Sequence, residues 1–120
     1  MALVDDDESL CRSMARLLRA AGMQVTIYPS AEAFLADTMN SRFDCLLLDI
    51  QLQGMSGLEL QMQVAASGLA TPVIFITAHD EPSARDLANA AGCAGFYRKS
   101  DSGGEVIDAI RRAVSRHRSR

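Results

Sequence analysis

Residues 43–50 read FDCLLLDI, an apolar run that closes on an aspartate. A strand with one face in water alternates apolar and polar side chains, and this run does not. It is read as a strand buried on both faces, as in a parallel sheet covered by helices on either side. Asp49, at the end of the most apolar strand in the chain, would then have a tightly fixed position.

The segments around this strand alternate in period. MALV opens the chain as a short apolar strand. From Glu8 to Ala21, Leu10, Met14, Leu17, Leu18 and Ala21 recur at helical spacing, and Gly22 is a natural stop. MQVTIY (23–28) predicts a strand with Val25 and Ile27 on one face. Ser30 caps a helix over 31–39, with Glu32 in its first turn. Gly54 and Gly57 mark a loop before a helix from about Leu58 to Ala66. VIFIT (73–77) is the fourth strand, and 81–92 is a helix with Pro82 in its first turn. AGFYRK (94–99) is the fifth strand. A last helix, about Gly104 to Arg116, turns Val106, Ile107, Ile110 and Val114 inward. Five strand–helix units in one 120-residue domain imply an α/β fold with a parallel sheet.

Ligands of such sheets bind beyond the carboxyl ends of the strands. Asp5 and Asp6 follow the first strand, Asp49 ends the third, Thr77 ends the fourth and Lys99 ends the fifth. If strands 1, 3, 4 and 5 lie side by side, these groups converge. Two carboxylates about 4 Å apart repel by about 4 kcal/mol at an effective dielectric near 20. Three of them against one ammonium need a further cation. An oxygen-only donor set with few protein ligands suits Mg²⁺, whose remaining positions suit phosphate oxygens. Neither GxGxxG nor GxxxxGK[ST] is present, so no nucleotide is cradled. A carboxylate nucleophile that takes the phosphoryl group itself is the alternative, and Asp49 is the candidate.

Each feature alone has a plainer reading. Acidic residues before a helix favour its positive N-terminus, and that role suits Asp7 and Glu8. The pair is read as Asp5 and Asp6, with Asp6 and Asp7 as the other register. The argument rests on four strand ends carrying the right group together.

Composition agrees with a folded domain. Apolar residues make up 48% of the chain, too many for disorder, and the formal charge of −3 gives the domain no footprint for nucleic acid. The last ten residues, RRAVSRHRSR, are the basic exception. Cys11, Cys45 and Cys93 form no CxxC pair and are read as reduced core or near-core residues. With no signal peptide and no membrane-length apolar run, a cytoplasmic location is expected.

The constellation resembles the receiver domain of two-component response regulators, over essentially the whole chain. VDDDESL is similar to the family's acidic pair, LLLDIQLQGMSGLEL to its phospho-acceptor segment, VIFITA to its hydroxyl-bearing strand and GFYRK to its lysine strand. The wording around VDDDESL, AEAFL and MSGLEL is most similar to receivers of LuxR/FixJ-type transcription regulators. The resemblance implies a flavodoxin-like (βα)5 doubly wound sheet of five parallel strands, order 2-1-3-4-5. It implies that Asp49 takes a phosphoryl group from a sensor histidine kinase. Asp5, Asp6, Asp49 and the backbone carbonyl of Gln51 would hold Mg²⁺. Thr77 and Lys99 would bind the phosphoryl oxygens, small Ala78 would leave access, and Phe96 would be the switch aromatic. Gln51 and His79 are candidates for tuning the lifetime of the phosphoryl group. A phosphorylation-dependent homodimer through the fourth-helix and fifth-strand face is implied. So is an output domain, DNA-binding and absent from this chain, with 115–120 as the start of its linker.

Three features depart from the family. Ser100 follows Lys99 where Pro with a cis peptide is usual, and a cis bond before Ser costs about 2.5–4 kcal/mol. Gln53-Gly54 stands where Pro-Gly is common, which predicts a looser loop after Asp49. The first strand is also short, which reads as a trimmed N-terminus. Two other functions compete. A haloacid-dehalogenase-like phosphatase needs an acid/base Asp two residues after its nucleophile, and Gln51 cannot transfer that proton. A phosphorylation-independent interaction module would typically lose one of the acidic pair, the Asp or the Lys, and all are kept.

Overall fold

The computed structural model describes residues 1–37, 43–68, 70–78 and 82–118. Ten elements alternate: β1 (Ala2–Val4), α1 (Glu8–Ala20), β2 (Thr26–Tyr28), α2 (Ala31–Asp37), β3 (Leu46–Asp49), α3 (Gly57–Ala66), β4 (Val73–Thr77), α4 (Pro82–Ala90), β5 (Gly95–Arg98) and α5 (Gly103–Arg118). The strands are all parallel and lie in the order β2-β1-β3-β4-β5. The parallel sheet is the one expected from the alternation of periods, and its doubly wound (βα)5 order is the one that the resemblance implied.

The LLL run does what its lack of alternation implied. Leu46 and Leu48 point into one cluster with Val4, Phe34, Leu60 and Phe75, beneath α2, α3 and α4. Leu47 points the other way, into a cluster with Leu3, Leu18, Ile74, Ile76 and Ile110 beneath α1 and α5. All three leucines are buried, and each such side chain contributes about 1.5–3 kcal/mol, an upper estimate because the unfolded chain is itself partly compact.

The edge strand departs from its expected form. β2 is three residues long rather than six, and Ile27 is 37% exposed while Tyr28 is 6%. Among the described residues only β1 pairs with it, so one side of the strand has no ladder there to extend it. Met23 and Val25 still pack against the α1–α5 side, but from the approach to the strand. Phe43 likewise precedes β3 and sets its ring 6.1 Å from Tyr28 and 6.0 Å from Phe34. Other ends differ by a residue or two, as helix and strand termini usually do. The expected ends of the second helix at 38–39 and the start of the fourth at 81 lie outside the described residues.

The caps carry the chain into its helices. Asp7 accepts the Leu10 N–H at 3.1 Å, Ser30 accepts that of Ala33 at 3.0 Å and Ser56 accepts that of Glu59 at 3.1 Å. Gly22, at φ +88°, leaves α1 in the left-handed region that glycine tolerates best.

Candidate functional site

Strand register decides which groups meet. Val4 lies opposite Leu48, so the next residues, Asp5 and Asp49, leave neighbouring strands side by side. Asp49 lies opposite Ile76, and Thr77 lies opposite Arg98. The Lys99 N–H then donates to the Thr77 carbonyl at 2.8 Å, which carries the ladder one residue past β5. The predicted strand-end residues therefore stand along one edge of the sheet.

Asp5 and Asp49 are buried and Asp6 is exposed, with one carboxylate oxygen of each lying within 4.8 Å of the others. The Lys99 ammonium bridges the two buried members, 3.1 Å from Asp5 Oδ2 and 3.2 Å from Asp49 Oδ2. Lys99 is the chain's single lysine. Asp5 Oδ1 accepts the Asp7 N–H at 2.9 Å, and Asp49 Oδ1 accepts that of Gln51 at 3.2 Å. Asp7 itself is occupied as the cap of α1.

Burial and the Asp5 charge push the Asp49 carboxyl above its ordinary range, against the pull of Lys99. Burial works to lower the Lys99 ammonium, but hydrogen bonds and charge from Asp5 and Asp49 outweigh it and hold it above its ordinary value. Three carboxylates against one ammonium leave the site short of positive charge. Asp5 Oδ2 is fully buried, and among the described residues its only compensation is the Lys99 ion pair. An all-oxygen donor set with surplus negative charge fits a small hard divalent cation such as Mg²⁺.

The remaining candidates take graded places. Thr77 is buried at the end of β4, and Ala78 beside it is exposed. Gln51 is exposed, and its backbone N–H is committed to Asp49. His79 lies outside the described residues. Phe96 is half-buried, 6.2 Å from the Phe75 ring, and the Arg85 guanidinium of α4 covers it at 4.9 Å from the ring centroid. Cys11 and Cys45 are buried free thiols, pushed up to about 11 and about 12, chiefly by burial.

The Lys99–Ser100 peptide is trans, as are all peptide bonds among the described residues. The expected looseness after Asp49 is countered from a distance: Glu32 Oε1 accepts the Met55 N–H at 2.7 Å. This contact, the Arg85 cover and a turn in which Asp101 Oδ2 accepts the Arg98 N–H at 2.8 Å were all missed in the sequence. Only the last had a signal there, an aspartate three residues after a strand-ending residue.

The model of the response regulator receiver domain matches residues 1–111. The chain belongs to the response regulator receiver domain family. The receiver is 36% identical over 118 residues to Nodulation protein W of Bradyrhizobium diazoefficiens, covering 98% of this chain and 52% of that protein. It is 33% identical to the transcriptional regulatory protein FixJ of Azorhizobium caulinodans, covering 95% of this chain and 54% of that protein. Among solved structures, the crystal structure of FixJ-N superposes with a TM-score of 0.88 at 34% identity, over 95% of this chain and 91% of that one. Receiver domains of this kind are switches of two-component signalling rather than enzymes, and they typically bind Mg²⁺ at an acidic pocket. This receiver spans about half the length of the curated relatives it matches. No helix among the described residues is long and apolar enough to cross a membrane.

Proposed function

We propose that this receiver is a phosphorylation-activated switch whose phospho-acceptor is Asp49. One observation carries the reading: the Asp49 carboxylate is held beside the chain's only lysine ammonium, with an oxygen within 4.8 Å of one from each of two further carboxylates. A histidine kinase supplies the phosphoryl group. The P–N bond of its phosphohistidine breaks, and a P–O bond forms to an Asp49 oxygen. Asp5, Asp6, Asp49 and the Gln51 carbonyl would hold Mg²⁺, which would shield the negative charge gathered there. Lys99 pairs with the incoming phosphoryl oxygens. Thr77 donates its hydroxyl to them, with Ala78 small enough to leave the approach open. Gln51 and His79 tune how water reaches the acyl phosphate.

The added charge favours whichever arrangement offers it more donors. Movement of Thr77 toward the phosphoryl group draws Phe96 inward and changes the α4–β5 face. Leu87, 60% exposed on α4, supports that face as the place where two phosphorylated copies meet. Light scattering with and without a phosphate mimic tests this, and an unchanged mass would refute it. The share of the relatives' length that is matched, together with the basic residues after 115, supports a linker to a DNA-binding output domain in a cytoplasmic regulator.

A titration with beryllofluoride and Mg²⁺, followed by NMR with Asp49→Asn as control, tests the switch. Mg²⁺-dependent shifts at Asp49, Thr77, Phe96 and Lys99 that vanish in the variant are expected. No response in the intact protein would leave a module that signals by contact alone.

A further inference from the structure

Lys99 must deliver its ammonium between carboxylates from two other strands, 3.1 Å from Asp5 and 3.2 Å from Asp49. Its stem is long and flexible, so the backbone at its root has to be fixed. On the strand side, the Lys99 N–H is bonded to the Thr77 carbonyl at 2.8 Å. On the other side come Ser100, Ser102, Gly103 and Gly104, which bring little stiffness of their own. Asp101 is the residue that closes this side. Its N–H donates to the Arg98 carbonyl at 3.0 Å, and its Oδ2 accepts the Arg98 N–H at 2.8 Å. Its Oδ1 also lies 3.9 Å from Arg98 Nε, but that side chain is 54% exposed and the ion pair is subsidiary. A four-residue turn is thus closed twice by one residue, with Lys99 and Ser100 at its centre.

We propose that Asp101 is a positioning residue for phosphoryl transfer: its carboxylate locks the turn that aims the Lys99 ammonium at Asp5 and Asp49. The inference rests on Asp49 as acceptor. It adds a residue that touches neither the phosphoryl group nor the carboxylates and acts through the lysine alone.

The single lysine makes the test direct. Isotope-labelled lysine gives one side-chain signal, read by NMR in the full chain as wild type, Asp101→Ala, Asp101→Asn and Asp101→Glu. Phosphoryl uptake from acetyl phosphate at saturating Mg²⁺, which releases acetate, is measured alongside. In Asp101→Ala the lysine signal moves toward that of free lysine. Uptake slows by roughly tenfold, within the hundredfold that a misplacement of about 1 Å can cost. Mg²⁺ affinity stays the same. Asn, whose amide oxygen still accepts the Arg98 N–H, restores both readouts. Glu, which shifts the carboxylate by one methylene, does not, and it carries the test if the Ala variant fails to fold. A native lysine signal in the Ala or Glu variant, or an Asn variant as impaired as Ala, overturns the proposal. A wild type that takes up no phosphoryl group refutes Asp49 as acceptor instead, and the lysine signal still judges Asp101.

Discussion

Two loops flank Asp49, and they are tied in different ways. The loop from β3 to α3 is held from across the molecule, where Glu32 at the start of α2 accepts the Met55 N–H at 2.7 Å, 23 residues away in sequence. The loop from β5 to α5 is held from within, where Asp101 accepts the Arg98 N–H at 2.8 Å, three residues away. Both loops lack proline, and both lead into a helix that begins on glycine. The glycines differ as the ties do. A methyl group on Gly57 would run into the backbone carbonyl of Asp49, which cannot yield without moving the acceptor. A methyl group on Gly103 would meet Leu17 Cδ2, the end of a side chain 40% exposed on α1. The acceptor loop is therefore packed against backbone, and the lysine loop against something that can move aside.

The largest expected effect removes the group both loops serve. Asp49→Asn abolishes phosphoryl uptake from acetyl phosphate, measured by intact-protein mass. Residual uptake at the wild-type rate would move the acceptor elsewhere. Next comes Gly57→Ala, expected to cost about 3 kcal/mol in urea melts, the upper end of ordinary overpacking. A loss under about 1 kcal/mol would show that the acceptor loop yields as readily as its counterpart.

The tie from Glu32 is weaker and sensitive to pH. Its carboxyl is held below the ordinary range by the Met55 N–H and by its own backbone N–H. A carboxylate with a lowered folded-state pKa stabilises the fold above its unfolded value and loses that contribution as pH falls through the folded one. Hydrogen exchange at Met55 should be slow at neutral pH and quicken in that acidic window, and Glu32→Ala should make it fast at every pH. An amide equally protected in the variant would mean that the loop holds itself. The smallest effect is expected for Gly103→Ala, within about 1 kcal/mol of wild type, because Leu17 can turn outward and alanine suits a helix better than glycine. A loss equal to that of Gly57→Ala would erase the contrast between the loops.

Much of this was legible in the chain. The unbroken apolar run at 46–48 implied burial on both sheet faces, and the alternation of periods implied five parallel strands. Asp5, Asp6, Asp49, Thr77 and Lys99 could be picked out because a parallel sheet places strand ends on one edge. Strand β2 was overdrawn, since hydrophobic pattern cannot tell an edge strand, bonded on one side, from a central one. The turn at Asp101 has a local signal in the chain, an aspartate three residues after Arg98 at the end of β5.

The amino-acid order by itself determined the fold class, the edge on which chemistry gathers and the residue types found there. These depend on side-chain period and on strand direction, which are local properties of the chain. Tertiary structure alone decided that Lys99 bridges Asp5 and Asp49, that Glu32 ties Met55 and that Arg85 covers Phe96. Each joins side chains from separate elements, and their distances depend on how helices and loops settle against the sheet. No spacing along the chain encodes that packing.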